Sequence, residues 1–147
     1  MIEEIKYLTE QNAEFMPQTA APGASGPLKF ELINASLAGL KASPIPENLA
    51  AFYKTYQMAV LGDAVIFPIA TARRGNYEIP GIPQINEKFS AFVQCRGKVI
   101  WGRNSLYIFS ADISGTLYIH DVLTLQTLKT YTDFGSALTD CLMVGKV

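Results

Sequence analysis

The side chains that carry most enzyme chemistry are sparse here: one histidine, His120, and two cysteines, Cys95 and Cys141, in 147 residues. His120 precedes Asp121, with Ser105, Ser110 and Ser114 upstream, which raises the question of a Ser-His-Asp relay. A strand turns successive side chains to opposite faces, so Asp121 is poorly placed to orient the His120 ring, and no G-x-S-x-G elbow presents a serine. A structural or partner-facing histidine is expected, and no catalytic residue is assigned. Zinc would need carboxylates to complete its shell, because the two cysteines match no Cys-x-x-Cys spacing. They read as reduced, mostly buried thiols. Neither a Walker loop nor a G-x-G-x-x-G run is present, so no cofactor and no metal is expected.

The elements that would position these residues change character along the chain. Ile2, Ile5, Leu8 and Phe15 fall near helical spacing and predict a short amphipathic helix ended by Pro17. Residues 17–27 carry three prolines and two glycines without charge and read as a tether or long surface loop. The spacing of Leu28, Leu32, Leu37 and Leu40 predicts a helix over 28–40. A second helix over 47–59 places Leu49, Phe52, Tyr53 and Tyr56 on one stripe, with Pro46 and Glu47 suited to its start. After Gly62 the period moves from 3.6 toward 2. Residues 64–70 read as a strand pushed to an edge or bulge by Pro68, and 73–88 as irregular. Strands are expected over 89–95, 98–101, 105–110, 116–122 and 127–132, with a hairpin at Arg96-Gly97, followed by a helix over 134–144. Helices, an antiparallel meander and a closing helix make an α+β protein, its sheet of about five antiparallel strands carrying helices mainly on one face.

Alternation divides each strand into two sets of side chains. Leu106, Ile108, Leu117, Ile119 and Leu128 form an aliphatic set, expected beneath the helices. Tyr107, Phe109, Tyr118, His120, Lys129 and Tyr131 form an aromatic and polar set, expected either as an open recognition face or as a second small core under a loop. Charge is uneven as well. Residues 51–105 hold seven basic side chains (Lys54, Arg73, Arg74, Lys88, Arg96, Lys98 and Arg103) against three acidic ones. The partner-binding set read from these patterns is Tyr107, Tyr118, His120, Tyr131, Arg96, Lys98 and Arg103.

Composition bounds the classes of function. Apolar residues make up 49% of the chain and charged ones 17%, which suits one folded domain and excludes wholesale disorder. A net charge of -1 lacks the global field of a protein that coats nucleic acid, so nucleic acid is not the expected partner. No apolar run approaches the ~18 residues of a membrane span, and the acidic start does not resemble a signal peptide, so a cytoplasmic protein with no membrane partner is expected. The strand pair around Gly115 to Tyr131 looks like part of a WD-repeat blade, but it occurs once, and a propeller needs several copies.

From about Leu28 onward the sequence resembles the SUKH superfamily, which includes a fungal cell-wall-synthesis regulator and many bacterial toxin-immunity proteins. The residues that carry the likeness are the helix over 28–40, the proline-led Ile45-Pro46-Glu47-Asn48-Leu49 with Phe52-Tyr53, and the aromatic strand Leu106-Tyr107-Ile108-Phe109. The Asp-x-x-Gly turn from Asp112 to Gly115, the strand ending Ile119-His120-Asp121 and the closing helix complete it. In place of the family's Asn-Gly-like turn stand Tyr56 to Asp63, and residues 1–27 form an N-terminal helix and arm without a family counterpart. The resemblance implies a SUKH-like domain over 28–147 that binds protein without catalysis, as an immunity protein neutralising a cognate toxin by association. Alternatives are a regulatory scaffold and a small enzyme with an unrecognised site. A buried cleft gathering Tyr107, His120 or Asp112 would mark the enzyme, and a large apolar dimer patch the scaffold.

Overall fold

The change from helical to strand period comes before Gly62, because the second helix stops at Thr55 and the chain passes straight into a strand at Tyr56. The structure is a computed structural model that describes residues 1–18 and 30–143. In chain order its elements are α1 (Ile2–Glu10), β1 (Glu14–Pro17), α2 (Phe30–Gly39), α3 (Glu47–Thr55), β2 (Tyr56–Leu61), β3 (Ala64–Ile66), β4 (Ala72–Arg74) and β5 (Tyr77–Ile79). There follow α4 (Ile82–Phe89), a 3-10 turn (Val93–Cys95), β6 (Lys98–Arg103), β7 (Tyr107–Asp112), β8 (Leu117–Asp121), β9 (Thr127–Tyr131) and α5 (Phe134–Leu142). Residues 19–27 of the expected arm and the expected start of α2 at Leu28 lie outside the described residues.

The main sheet has the order β1-β2-β3-β6-β7-β8-β9 and is antiparallel throughout, and β4 and β5 form a separate hairpin. The protein is therefore α+β with an antiparallel sheet, as expected, but the sheet has seven strands. Two of them hide in helix-like spacing. Phe15 was expected on the first helix; α1 ends at Glu10, and Asn12 turns the chain at φ 72° so that Phe15 pairs with Ala59. Its ring then meets Phe52 and Tyr56 at 6.3 and 5.4 Å. Gly62, at φ 59°, supplies the left-handed residue of the two-residue β2–β3 hairpin.

Pro68 does not make an edge strand of β3, which lies between β2 and β6. It falls just past Ile66, where α4 takes over the pairing: Ile100 N donates to Asn86 Oδ1 at 2.8 Å, and Asn86 Nδ2 donates to Ile100 O at 3.0 Å. A buried amide side chain thus replaces a strand. Residues 89–95, expected as a strand opening a hairpin, are instead the end of α4 and the 3-10 turn. Gly81, Pro83 and the i, i+3, i+4 set Ile82, Ile85 and Asn86 favour a helix start with one buried face.

One face of the sheet receives α5. Trp101 packs between Phe109 and Phe134 at 5.4 and 5.1 Å, and Phe134 meets Phe52 of α3 at 5.7 Å. Gly102 permits this approach, because a Cβ there would sit 3.2 Å from Cys141 Sγ and 3.1 Å from Val65 O. Asp133 caps α5, its carboxylate accepting from Gly135 N and Ser136 N. Ile100, Ile108, Ser110 and His120 lie buried on the opposite face.

Candidate functional site

The pairing register decides which aromatic residues share a face. Phe109 stands opposite Ile119, and Ile108 opposite His120; Leu117 faces Tyr131, and Ser110 faces Tyr118. The aliphatic and aromatic sets therefore do not fall on separate faces. Tyr107, Phe109, Leu117, Ile119 and Tyr131 share the side that receives α5, whereas Ile108, Tyr118 and His120 share the other. Alternation within each strand was read correctly; the relative register of neighbouring strands was not available from it. Leu106 and Leu128, expected in the core, are 47% and 52% exposed, because Leu106 precedes β7 and Leu128 sits where the β8–β9 register shifts.

His120 is fully buried. Its Nδ1–H donates to Leu125 O at 3.0 Å, which leaves Nε2 to accept from Ser110 Oγ at 2.7 Å. This is the geometry of a nucleophile and its base with a carbonyl orienting the ring. Ser110 is equally buried, so the pair acts as an internal polar clasp between β7, β8 and the β8–β9 turn. Burial holds the imidazole below its usual pKa, against the Leu125 carbonyl, and the nearby Lys98 ammonium adds to the depression. Leu125, whose carbonyl accepts from His120 and whose N–H donates to Asp121 O at 2.9 Å, adopts a left-handed conformation at φ 62°, rare for a bulky residue.

The other expected residues divide into two networks. On the His120 side, Tyr118 stacks on the imidazole at 6.2 Å, lies beneath the Lys98 ammonium at 4.9 Å, and donates to Asp112 at 2.6 Å. Burial raises the Asp112 pKa, but bonds from Ser114, Tyr118 and the Thr116 amide lower it by more. Lys98 also donates to Gln94 O at 3.1 Å. On the α5 side, the Tyr131 hydroxyl donates to Asp140, and Lys129 lies 4.8 Å over the Tyr131 ring. Burial, with that bond, raises the Tyr131 phenol far above its ordinary value. His120 is thus inaccessible, Tyr107, Tyr118 and Tyr131 are half-buried, and the seven expected residues do not form one patch. The two thiols are free and buried, and burial raises both pKa values.

Large apolar side chains are exposed beside turns that hydrogen bonds hold. Val122 N donates to Leu106 O at 3.1 Å, and Gln94 Nε2 donates to Thr124 O at 3.4 Å. Leu123, beside both Val122 and Thr124, is 89% exposed; Val93, beside Gln94, is 67% exposed; Phe92 and Leu106 are also exposed. Asp121 accepts from Leu123 N and Thr124 N and fixes the turn that presents Leu123. Arg96 is exposed and Arg103 half-buried, and among the described residues neither makes an ion pair. The sequence reading missed Phe92, Val93 and Leu123. Their signal was apolar residues beside turn formers; for Phe92 and Val93 it was absorbed by assigning 89–95 to a strand, and Leu123 fell between the strands expected over 116–122 and 127–132.

Two clefts of about 470 Å³ are shallow and distant from His120. One lies between the start of α3 and the β7–β8 turn, where Asn48 Nδ2 donates to Gly115 O at 2.9 Å; the other lies between the β4–β5 hairpin and the β2–β3 hairpin. Neither gathers Tyr107, His120 and Asp112. Among the described residues no three His, Cys, Asp or Glu side chains group to hold a metal, and no helix is long and apolar enough to cross a membrane.

Fold and surface define a class: an α+β protein on an antiparallel sheet, its histidine and thiols turned inward and several large apolar side chains turned out beside its turns. No family model matches the chain, and no curated protein is significantly similar to it.

Proposed function

We propose that this protein is a cytoplasmic binding domain that acts by direct association with a protein partner, and that it is an immunity protein of the SUKH type that neutralises a cognate toxin domain. The observation that supports binding is the exposure of Leu106 and Leu123 where Val122 N donates to Leu106 O, and of Phe92 and Val93 beside Gln94, whose side chain reaches Thr124 O. Apolar side chains gathered on a surface mark interaction sites, because solvation opposes leaving them open. The proline-led α3, the aromatic strand β7 and the closing α5 support the SUKH likeness, and immunity follows from that likeness alone.

Affinity capture from the native host, with wild type beside a Val93→Asp/Leu123→Asp variant, tests association. Wild type is expected to retain a partner that the variant loses, while the variant still unfolds cooperatively; each buried anchor contributes more than about 2 kcal/mol. Equal capture by both moves the site elsewhere. Expressing the captured partner alone then tests immunity: growth arrest relieved by co-expression supports it, and a harmless partner removes it.

A further inference from the structure

We propose that the β8–β9 turn is a catch worked by a proton: protonation of His120 opens residues 120–127 as a local unit and withdraws Leu123 from the partner. The inference rests on the protein-binding reading and adds its regulation. The turn closes over the His120 ring, with Leu125 O accepting from Nδ1–H at 3.0 Å and Thr127 Oγ1 3.5 Å from the same nitrogen. Its anchors are few. From Asp121 to Tyr131 Leu125 alone is buried. The ladder shifts register between Ile119 and His120, which separates this end from the paired strands behind it. Leu125 also sits at φ 62°, so the closed turn bears the cost of a left-handed leucine. Asp121 holds the turn together through Leu123 N and Thr124 N, while Val122 N on Leu106 O, Gln94 on Thr124 O and the ring tie it to the rest.

The closed site accepts only the neutral ring. Ser110 Oγ donates to Nε2 at 2.7 Å, so a proton on Nε2 sets two donors against each other, and among the described residues the Ser110 hydroxyl has no second partner. The charged and titratable groups around the ring offer no relief. Lys98 of β6 stands 4.9 Å over the ring of Tyr118, which stacks on the imidazole. Asp112 of β7 is already engaged by Ser114, Thr116 and Tyr118. Asp121 projects from the other side of β8 and is held by its own turn. Cys95 of the 3-10 turn feels the Lys98 ammonium, but burial raises its thiol pKa and keeps it neutral. An imidazolium is therefore relieved by reaching water, and the turn, with one buried side chain, is the part of its cover that yields first.

Native-state amide exchange of the 15N-labelled full chain, corrected for its intrinsic pH dependence, is followed from pH ~7.5 to pH ~5 in wild type and His120→Gln. In wild type the protection of the Asp121, Thr124 and Leu125 amides, all hydrogen-bonded in the closed turn, is expected to fall about tenfold per pH unit below pH ~6.5. That slope is the mark of one proton taken up on opening. Phe67 and Ile100, whose amides are bonded within the sheet region, are expected to hold their protection more steadily. His120→Gln is expected to flatten the slope. Ser110→Ala removes the donor that favours the neutral ring and is expected to start the fall at higher pH, which keeps the test decisive if the glutamine variant fails to fold. Loss of protection in step across turn and sheet, no loss down to pH ~5, or the same slope in His120→Gln each overturns the catch. The partner captured at pH ~7.5 is expected to leave wild type, and not His120→Gln, when the wash falls to pH ~5.5. Retention by wild type in that wash overturns the regulation and leaves the protein-binding reading standing. Opening of the turn in a chain that captures no partner condemns the binding reading and not the catch.

Discussion

The chemistry of this protein at the scale of a residue is dominated by His120, whose ring is spent on internal bonding. Its folded pKa lies below the ordinary value of about 6.5, so the unfolded chain binds the extra proton first as the pH falls. The stability contributed by neutral His120 is therefore complete above pH ~6.5 and declines below it, toward the depressed folded value. Because it is the chain's single histidine, wild type is expected to lose stability between pH ~7.5 and pH ~5.5 in urea titrations, and His120→Gln to lose much less over that range. The depressed carboxylates Asp112, Asp121 and Asp133 belong to a lower window, their contributions being lost as pH falls through the acidic range. Ser110→Ala removes the donor to Nε2 in a dry site and is expected to cost about 1–3 kcal/mol. A loss under ~0.5 kcal/mol would mean that the clasp contributes nothing.

Among elements, the most consequential substitution of one kind of structure for another is α4 standing in for a strand beside β6. Asn86 supplies both a donor and an acceptor to Ile100, within a helix whose Ile82 and Ile85 face the core. Asn86→Ala leaves a buried N–H and C=O unpaired and is expected to destabilise by about 2–4 kcal/mol, with faster amide exchange at Ile100 as the local sign. Unchanged protection at Ile100 would show that β6 does not depend on α4. The β9 edge shows a different solution: its register shift and Lys129, held at Tyr131 and Asp140, blunt a strand that is paired on one side.

For the whole molecule, the division between core and surface follows the register of seven strands. Leu117 and Ile119 are fully buried against the face that receives α5, so Leu117→Ala and Ile119→Ala are each expected to cost about 2–5 kcal/mol. Leu106→Ala and Leu128→Ala, from the same aliphatic alternation, are expected to cost under about 0.5 kcal/mol. Guanidinium titration of the four variants checks this directly. Similar losses in both pairs would mean that the exposed leucines pack in solution.

What the sequence determined by itself was local. The stripe Leu49, Phe52, Tyr53 predicted α3, alternation predicted β7 to β9, the absence of Asp-His alignment predicted that Asp121 does not orient His120, and the antiparallel α+β class followed. Short segments with two readings were not legible. Phe15, Tyr56 and residues 89–95 satisfy helix and strand periods about equally, and a few residues of periodicity carry too little free energy to choose between them. Register was equally beyond reach, since it depends on which strand arrives beside which and on shifts such as those at Trp101 and Leu128. Tertiary structure therefore decided that His120 is enclosed, that Tyr118 and Tyr131 lie on opposite faces, and that Val122 bonds to Leu106 and Gln94 to Thr124. Each is a contact between segments distant in sequence, fixed by packing against partners that no local pattern contains.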